Sequence, residues 1–185
     1  MILTGSEDLR VLKTIRAIKR AMKELLCEKD YQKITVKELC DRAQINKKTF
    51  YHYYNSQNTL LYEMQQELSA EFMLQIRDYV LPEDMGSIVR EFFRFSLEKG
   101  LYCRKLMRSA NGQNVIDQLV LETWKRSPFF NRLDEPRQRL LLTYVSTVSV
   151  SLLRQWDEEG QTIPLEEMIE LTTSIIRYGL GGILR

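Results

Sequence analysis

The stretch ITVKELCDRAQINKKTFYHYY, residues 34–54, has the pattern of two short helices joined by a tight turn. Thr35 followed three residues later by Glu38 is a capping box, in which each side chain binds the other residue's backbone N–H, so a helix is predicted to begin there. Asn46 is a favoured N-cap for a second helix. About three residues, 44–46, remain for the turn, and this spacing is typical of a helix-turn-helix motif.

The second helix of this motif carries positive charge in an unfavourable place. Lys47 and Lys48 lie in its first turn, where the helix dipole disfavours a cation by roughly 0.3–1 kcal/mol. Side chains that can donate hydrogen bonds to phosphates and base edges follow at once, and they are Thr49, Tyr51, His52 and Tyr53. Together these residues indicate a surface for DNA, whereas the alternative is a solvated charged turn beside an aromatic core cluster.

This region resembles the N-terminal domain of the TetR family of bacterial transcription regulators. The similarity runs from about Leu9 to Leu61, and its diagnostic part is TVKELCDRAQINKKTFYHYYNSQNTLL. The resemblance implies that Phe50 and Tyr54 face the core. It also implies that operator DNA is contacted, at the backbone or at base edges, by Thr35, Lys37, Lys47, Lys48, Thr49, Tyr51, His52 and Tyr53.

Two residues depart from the pattern of that family. Gln44 stands where the turn usually has a glycine, so it either adopts a left-handed conformation at some cost or the turn has a different geometry. Gln57 occupies the position, at the start of the next helix, where a lysine commonly contacts a phosphate. Gln57 is therefore included among the DNA-binding residues, but the missing positive charge predicts a weaker hold on the operator.

Positive charge is concentrated in the first third of the chain. Residues 1–60 contain 12 Lys and Arg against 7 Asp and Glu, a net charge of +5, whereas residues 61–185 contain 15 against 18, a net charge of −3. A basic segment followed by a mildly acidic one fits DNA binding by one part of the chain and regulation by another. Chance clustering of charge on an exposed first helix accounts for part of the excess.

No segment shows a convincing alternation of apolar and polar residues, so the predicted fold is all-α. We expect a three-helix DNA-binding domain at 1–55, joined by a connecting helix to a helical ligand-binding and dimerisation domain at 56–185. The connecting helix is predicted to run from a Ser56 cap to the break at Leu81-Pro82. Further helices are predicted at about 84–99, at about 112–125, from an Asp134 cap to residue 159, and from Pro164 onward.

The segment LLLTYVSTVSVSLL, residues 140–153, is the longest apolar run. It has about 14 residues, too few for a bilayer that requires about 20, so it is predicted to be a buried helix. Small residues recur on it and on the last helix, which permits close packing either within the chain or between two chains. The family resemblance implies the latter, a homodimer through the two C-terminal helices that presents two recognition helices to a palindromic operator.

Aromatic and soft side chains in the C-terminal part are candidates for an effector pocket, although each of them more often belongs to the core. The family resemblance implies a hydrophobic cavity for a small-molecule effector in this part of the chain. The candidate residues are Phe92, Phe95, Tyr102, Cys103, Met107, Trp124 and Tyr144.

The sequence gives little support for catalysis, a cofactor or a metal site. The single histidine, His52, lies in the predicted recognition helix, and no catalytic residue is identified. The three cysteines show neither CxxC nor metal-ligand spacing, and without a signal-peptide pattern they predict reduced thiols in a cytoplasmic protein. We therefore expect no enzyme activity, no cofactor, no metal and no membrane partner.

Two functions remain open. The first is a TetR-like repressor that binds a palindromic operator as a homodimer and is released by a small-molecule effector. The second is a TetR-like co-activator or sensor that acts through a protein partner with weak or no direct operator binding. The departures at Gln44 and Gln57 motivate the second function.

Overall fold

The computed structural model describes residues 6–109 and 112–180, and within them it contains helices and no strands. The all-helical prediction is confirmed. The α-helices are α1 (Ser6–Glu28), α2 (Val36–Ala43), α3 (Lys47–Tyr53), α4 (Gln57–Gln75), α5 (Met85–Lys99), α6 (Leu101–Met107), α7 (Gly112–Trp124), α8 (Pro128–Asn131), α9 (Glu135–Glu158) and α10 (Leu165–Leu180), and a 3-10 turn spans Tyr31–Lys33.

The chain forms two compact units. Among the described residues, unit 1 contains 6–67, 101–109 and 112, and unit 2 contains 68–100 and 113–180. Helix α4 therefore begins in unit 1 and ends in unit 2. Helix α6 belongs to unit 1, although the helices before and after it in the chain lie almost entirely in unit 2. Because these units describe packing, the division of function between 1–55 and 56–185 stays a prediction.

The core of unit 1 is built on the apolar face of α1, which packs against α2 and α6. Ile18, Met22 and Leu26 are completely buried, because residues four positions apart share one face of a helix. Leu39 of α2 and Phe50 of α3 are also completely buried. These buried side chains hold α1, α2 and α3 together.

The helix-turn-helix forms with its predicted caps. Thr35 Oγ1 accepts a hydrogen bond from the N–H of Glu38 at 3.2 Å, and the Glu38 carboxylate accepts one from the N–H of Thr35 at 2.9 Å. Asn46 Oδ1 accepts a bond from the N–H of Thr49 at 2.7 Å. Gln44 adopts the left-handed conformation, with φ 55° and ψ 45°, which for a residue with a side chain costs roughly 1–2 kcal/mol.

The connecting helix is shorter than predicted, because α4 ends at Gln75 and not at the Leu81-Pro82 break. The reason is a tertiary contact. The Arg126 guanidinium donates to the carbonyl oxygen of Ile76, at 3.3 Å, and to that of Arg77. The Ile76 carbonyl also accepts from the N–H of Tyr79, three residues on, so the four-residue spacing of an α-helix is not continued.

Two short helices, α6 and α8, lie outside the predicted ones. Helix α6 begins directly after Gly100, whose φ of +80° ends α5, so a single residue separates the two helices. Helix α8 begins at Pro128, and the Ser127 hydroxyl caps it by accepting from the N–H of Phe130 at 3.4 Å. The helix ends predicted near residues 99 and 125 were correct, but a further short helix begins soon after each of them.

The core of unit 2 lies among α5, α7, α9 and α10, where Phe93, Trp124 and Ile176 are completely buried. The segment 140–153 belongs to α9, and it is buried on one face only. Leu141 is 1% exposed whereas its neighbour Leu140 is 70% exposed, so the prediction of a buried helix holds for half of its surface. Among the described helices, none combines the length and the apolar character required to span a membrane.

Candidate nucleic-acid interface and ligand cavity

One face of helix α3 is buried in the core of unit 1, and its opposite face is exposed. Phe50 is completely buried and Tyr54, its C-cap, is 3% exposed, because both rings enter the core of unit 1. Lys47, Lys48, Tyr51 and His52 are exposed, while Thr49 and Tyr53 are half-buried, so the outward face consists of the predicted DNA-binding side chains. The helix is therefore a fixed platform for two cations and four hydrogen-bonding groups.

The C-terminal end of α3 is tied to α4 through Tyr54. Its phenol donates to the carboxylate of Glu63 at 3.3 Å, and burial raises the pKa of that phenol, with a further contribution from Glu63. Glu63 also pairs with Lys19 of α1, which binds Glu67 as well at 2.5 Å. One small network thus connects α1, α3 and α4.

The N-terminal end of α2 is held by a second network around Glu38. This carboxylate pairs with Lys29 and accepts hydrogen bonds from the backbone and the hydroxyl of Thr35. The Lys29 bond and then the Thr35 bonds lower the pKa of Glu38 to about 2. Lys37, the residue before Glu38, is exposed, so this network fixes the position from which its ammonium group extends.

An open groove of about 800 Å³ runs along α3. It brings together Lys48, Thr49, Tyr51, His52 and Tyr53 from the predicted site, whereas the predicted residues Thr35, Lys37, Lys47 and Gln57 are not among its lining residues. Arg10 and Thr14 of α1 complete one wall of the groove, and neither was assigned to the site from the sequence. Their spacing of four residues, which places them on one face of α1, is a signal that could have suggested it.

Gln57 is occupied by a structural contact. Its side-chain Nε2 donates to the carbonyl of Ile34 at 3.2 Å, which ties the first residue of α4 to the residue that precedes the capping box. Ile34 itself is buried. The amide of Gln57 therefore supports the motif from within, and its contact with a phosphate stays a prediction.

Other basic residues of unit 1 are engaged with carboxylates. Arg42 binds Glu28 through two nitrogens, at 2.8 and 3.0 Å, and reaches Glu24 at 3.4 Å. In contrast, the ion pairs found among the described residues include none made by Lys37, Lys47 or Lys48. Part of the uncompensated positive charge of unit 1 thus lies on the predicted DNA-binding surface.

A separate cavity of about 60 Å³ lies inside unit 2, with walls from α4, α5, α7, α9 and α10. Two of the predicted effector-pocket residues, Phe92 and Trp124, line it. The other five do not. Phe95 packs against the ring of Phe72 at 5.4 Å, and the Tyr144 phenol donates to the carbonyl of Ile175 at 2.7 Å.

The remaining three candidates, Tyr102, Cys103 and Met107, lie on α6 and so belong to unit 1. Tyr102 receives the ammonium group of Lys23 over its ring, at 4.7 Å from the centroid, and Cys103 is buried. The structure places these residues against α1 instead of around the cavity, because α6 packs on α1. The aromatic residues continue along the sequence without interruption, so the sequence could not show that α6 packs in unit 1 and not around the cavity.

Helix α10 leaves an apolar stripe exposed. Leu171 is 44% exposed, Ile175 38% and Tyr178 81%, and the spacing of four and three residues places all three on one face. On α9, Leu140, Thr143 and Thr147 are also exposed. Within residues 6–109 and 112–180, no cluster of His, Cys, Asp and Glu is arranged to hold a metal ion.

Comparison with known proteins also identifies a helix-turn-helix in this chain. A family model described as the helix-turn-helix of insertion element transposase matches residues 9–94. The chain is similar to YxbF of Bacillus subtilis (strain 168), an uncharacterised HTH-type transcriptional regulator, with 25% identity over 164 residues. The match covers 86% of this chain and 43% of that protein, so the chain spans less than half the length of this curated relative.

Solved structures share the fold over most of the chain. A TetR transcriptional regulator from Streptococcus agalactiae 2603V matches with a TM-score of 0.72 and 21% identity, over 92% of this chain and 97% of that one. The fatty acid degradation regulator FadR from Bacillus halodurans matches with a TM-score of 0.59 and 16% identity, over 97% and 98%. The dihydroxyacetone kinase operon activator DhaS matches with a TM-score of 0.52 and 18% identity, over 91% and 96%.

Proposed function

We propose that this chain, which is a TetR-like helix-turn-helix regulator, acts as a repressor that binds a palindromic operator as a homodimer and is released by a small-molecule effector. The observation that carries the proposal is the outward face of α3. Lys47 and Lys48 stand in the first turn of a rigidly anchored helix, where they oppose the helix dipole and have no carboxylate partner among the described residues.

DNA explains this arrangement because phosphates supply the missing counter-charge. A helix that carries base-edge and phosphate donors over its first two turns fits the major groove, which is wide enough for one α-helix. The groove beside α3 adds Arg10, and the lining residues Tyr51 and His52 can donate to the sugar-phosphate backbone. Lys37 extends the positive surface from the start of α2.

The exposed stripe on α10 supports a homodimer. Leu171, Ile175 and Tyr178 form an apolar strip that a second copy of the same helix can cover, and a twofold axis makes such a contact self-complementary. Close packing is already present between α9 and α10, since a Cβ added at Gly179 lies only 2.1 Å from the Tyr144 oxygen, so a larger residue fits there only if the Tyr144 side chain moves. Two copies present two recognition helices, about 34 Å apart, to successive major grooves.

An effector can act through two connections between the units along the chain, which are helix α4 and the junction of α5 with α6. Helix α4 begins in unit 1 and contributes Phe72 to the cavity of unit 2. Helix α6 packs on α1, and it is joined directly to α5, which provides Met85, Val89 and Phe92 to the same cavity. A ligand that favours one arrangement of α4 and α5 shifts the population of DNA-binding conformations by its differential affinity.

The test is a fluorescence-anisotropy titration of DNA from the promoter regions beside the gene, at two salt concentrations. We expect specific binding, and replacement of both Lys47 and Lys48 by alanine should abolish it and lower the salt dependence. The matched control replaces Lys125 and Arg132, two exposed cations of unit 2, by alanine. If the control loses binding to the same extent, general charge and not α3 is responsible.

The alternative function is a co-activator or sensor that works through a protein partner. The observation in its favour is Gln57, which places no cation at the start of α4 and donates to Ile34 instead. DhaS, with a similar fold, is an operon activator by its description. Failure to bind any promoter DNA until a partner protein is added would favour this alternative over repression.

A further inference from the structure

The walls of the cavity in unit 2 are uncharged and largely apolar. Its volume is about 60 Å³, and the described residues that line it include no charged side chain. Burial of an ion without a partner is strongly unfavourable, so a charged ligand finds no counter-ion in these walls. The surroundings favour a neutral, largely apolar molecule.

Three hydroxyl groups line the cavity, but each is already used within its own helix. Thr123 and Ser149 donate to carbonyl oxygens four residues earlier, each at 2.8 Å. Ser146 donates to a carbonyl oxygen three residues earlier, at 3.4 Å. These bonds take up the hydroxyl protons, so the hydroxyls are poor donors toward a ligand.

Trp124 differs from these groups. Its side chain is completely buried and lines the cavity, yet its Nε1–H has no hydrogen-bond partner among the described residues. The other tryptophan, Trp156, is also buried, and its Nε1–H donates to the carbonyl of Ile163 at 2.7 Å. Because nearly all buried polar groups have partners, the indole of Trp124 is a donor with capacity for one acceptor.

We infer that this cavity binds a neutral, apolar molecule with one hydrogen-bond acceptor, such as a ketone or an ester, and that the acceptor binds Nε1 of Trp124. The inference rests on the proposed effector response and names the chemical class of the effector. An apolar cavity that holds benzene has about 150 Å³, so a ring-sized ligand displaces the walls. Met85 and Phe92 of α5 line the cavity, and the flexible methionine side chain adapts readily to such a change.

The experiment uses the two indole N–H signals of the whole chain, labelled with ¹⁵N at tryptophan. The Trp156→Phe variant identifies the signal of Trp124. Three probes are titrated: cyclopentanone, methylenecyclopentane, which has a similar shape with CH₂ in place of the oxygen, and cyclobutanecarboxylate, an anion of similar size. Calorimetry provides the affinities.

We expect cyclopentanone to move the Trp124 proton signal downfield and to leave the Trp156 signal in place. Cyclopentanone should bind about five- to tenfold more tightly than methylenecyclopentane, the range expected for one hydrogen bond. The carboxylate should bind at least about tenfold more weakly than the ketone. In Trp124→Phe the preference for the ketone should disappear, and the alkene should bind at least as tightly, because the buried carbonyl then lacks a donor. Trp156→Phe, the matched control, should retain the preference.

Equal binding of ketone and alkene by the unchanged protein overturns the inference, and this comparison requires no variant to fold. Tighter binding of the carboxylate, no binding of any probe, or a preference that survives Trp124→Phe also overturns it. An operator titration in the presence of cyclopentanone separates the two proposals. If the predicted order of affinities holds but operator binding is unchanged, the effector response fails while the ligand class stands.

Discussion

The phenol of Tyr54 donates a hydrogen bond to the carboxylate of Glu63 at 3.3 Å, which joins the C-cap of helix α3 to helix α4. Tyr54 is 3% exposed, so this contact is shielded from solvent on the phenol side. Glu63 in turn pairs with Lys19. The orientation of α3 therefore depends on a contact with α4, a helix that lies outside the helix-turn-helix formed by α2 and α3.

Tyr54→Phe should lower the free energy of unfolding by about 1 kcal/mol, because the ring remains buried while one hydrogen bond to a carboxylate is lost. Urea denaturation followed by circular dichroism measures the change. The control is Tyr62→Phe on α4, whose side chain is 49% exposed and which should change stability little. Equal losses in both variants would show that the Tyr54 contact contributes nothing specific.

Gln44→Gly should stabilise the protein by roughly 1 kcal/mol, because glycine adopts the left-handed conformation at φ 55° without the steric cost of a side chain. Gln66→Gly, at an exposed position inside α4, should destabilise it by about 0.5–1 kcal/mol. Thermal unfolding of both variants checks the opposite signs. Destabilisation by both would mean that the side chain of Gln44 makes a favourable contact.

The stability of unit 1 should depend on the protonation of Glu38. Its pKa falls from 4.5 to about 2 on folding, so its contribution is fully present above about pH 4.5 and is lost as the pH decreases toward 2. Glu38→Gln should therefore flatten the stability profile between pH 5 and pH 2. Lys29→Met, which removes the main cause of the shift, should flatten it as well. An unchanged slope in both variants contradicts the assignment.

Arg10→Ala should weaken operator binding and reduce the slope of log K against log salt by about 0.9, the value for one phosphate contact. Arg10 lines the groove beside α3, whereas Arg16, exposed further along the same helix, does not. Arg16→Ala is thus the matched control for charge. Anisotropy titrations at several salt concentrations measure the operator affinity of both variants. A greater loss of affinity in Arg16→Ala than in Arg10→Ala would show that the DNA contacts another part of α1.

Ile175→Glu should convert a dimer to a monomer by placing a charge on the exposed stripe of α10, with dimerisation weakened by at least about 100-fold. Operator affinity should decrease with it. Leu74→Glu introduces the same charge at a leucine of α4 that is 68% exposed, and it should leave the dimer intact. Sedimentation velocity distinguishes monomers from dimers. A dimeric Ile175→Glu variant would show that this face of α10 is not the dimer interface.

The sequence by itself determined the elements whose signals are local. The capping box at Thr35 and Glu38, the N-cap at Asn46 and the inward position of Phe50 appear in the structure as predicted, because caps and helix faces depend on residues within one or two turns. Tyr54 is buried as the family resemblance implied. The all-helical fold followed from the same local periodicity. The same signals carry the resemblance to the TetR family.

Only the tertiary structure decided the features that depend on distant partners. Arg126 ends α4 near residue 75, and Gln57 is directed to Ile34 across 23 positions of the chain. Helix α6 packs on α1, so Tyr102 does not line the cavity of unit 2, whereas Trp124 of α7 does. A helical pattern reports which side chains are turned inward, but not which core they enter, because that choice is made by contacts between helices far apart in the sequence.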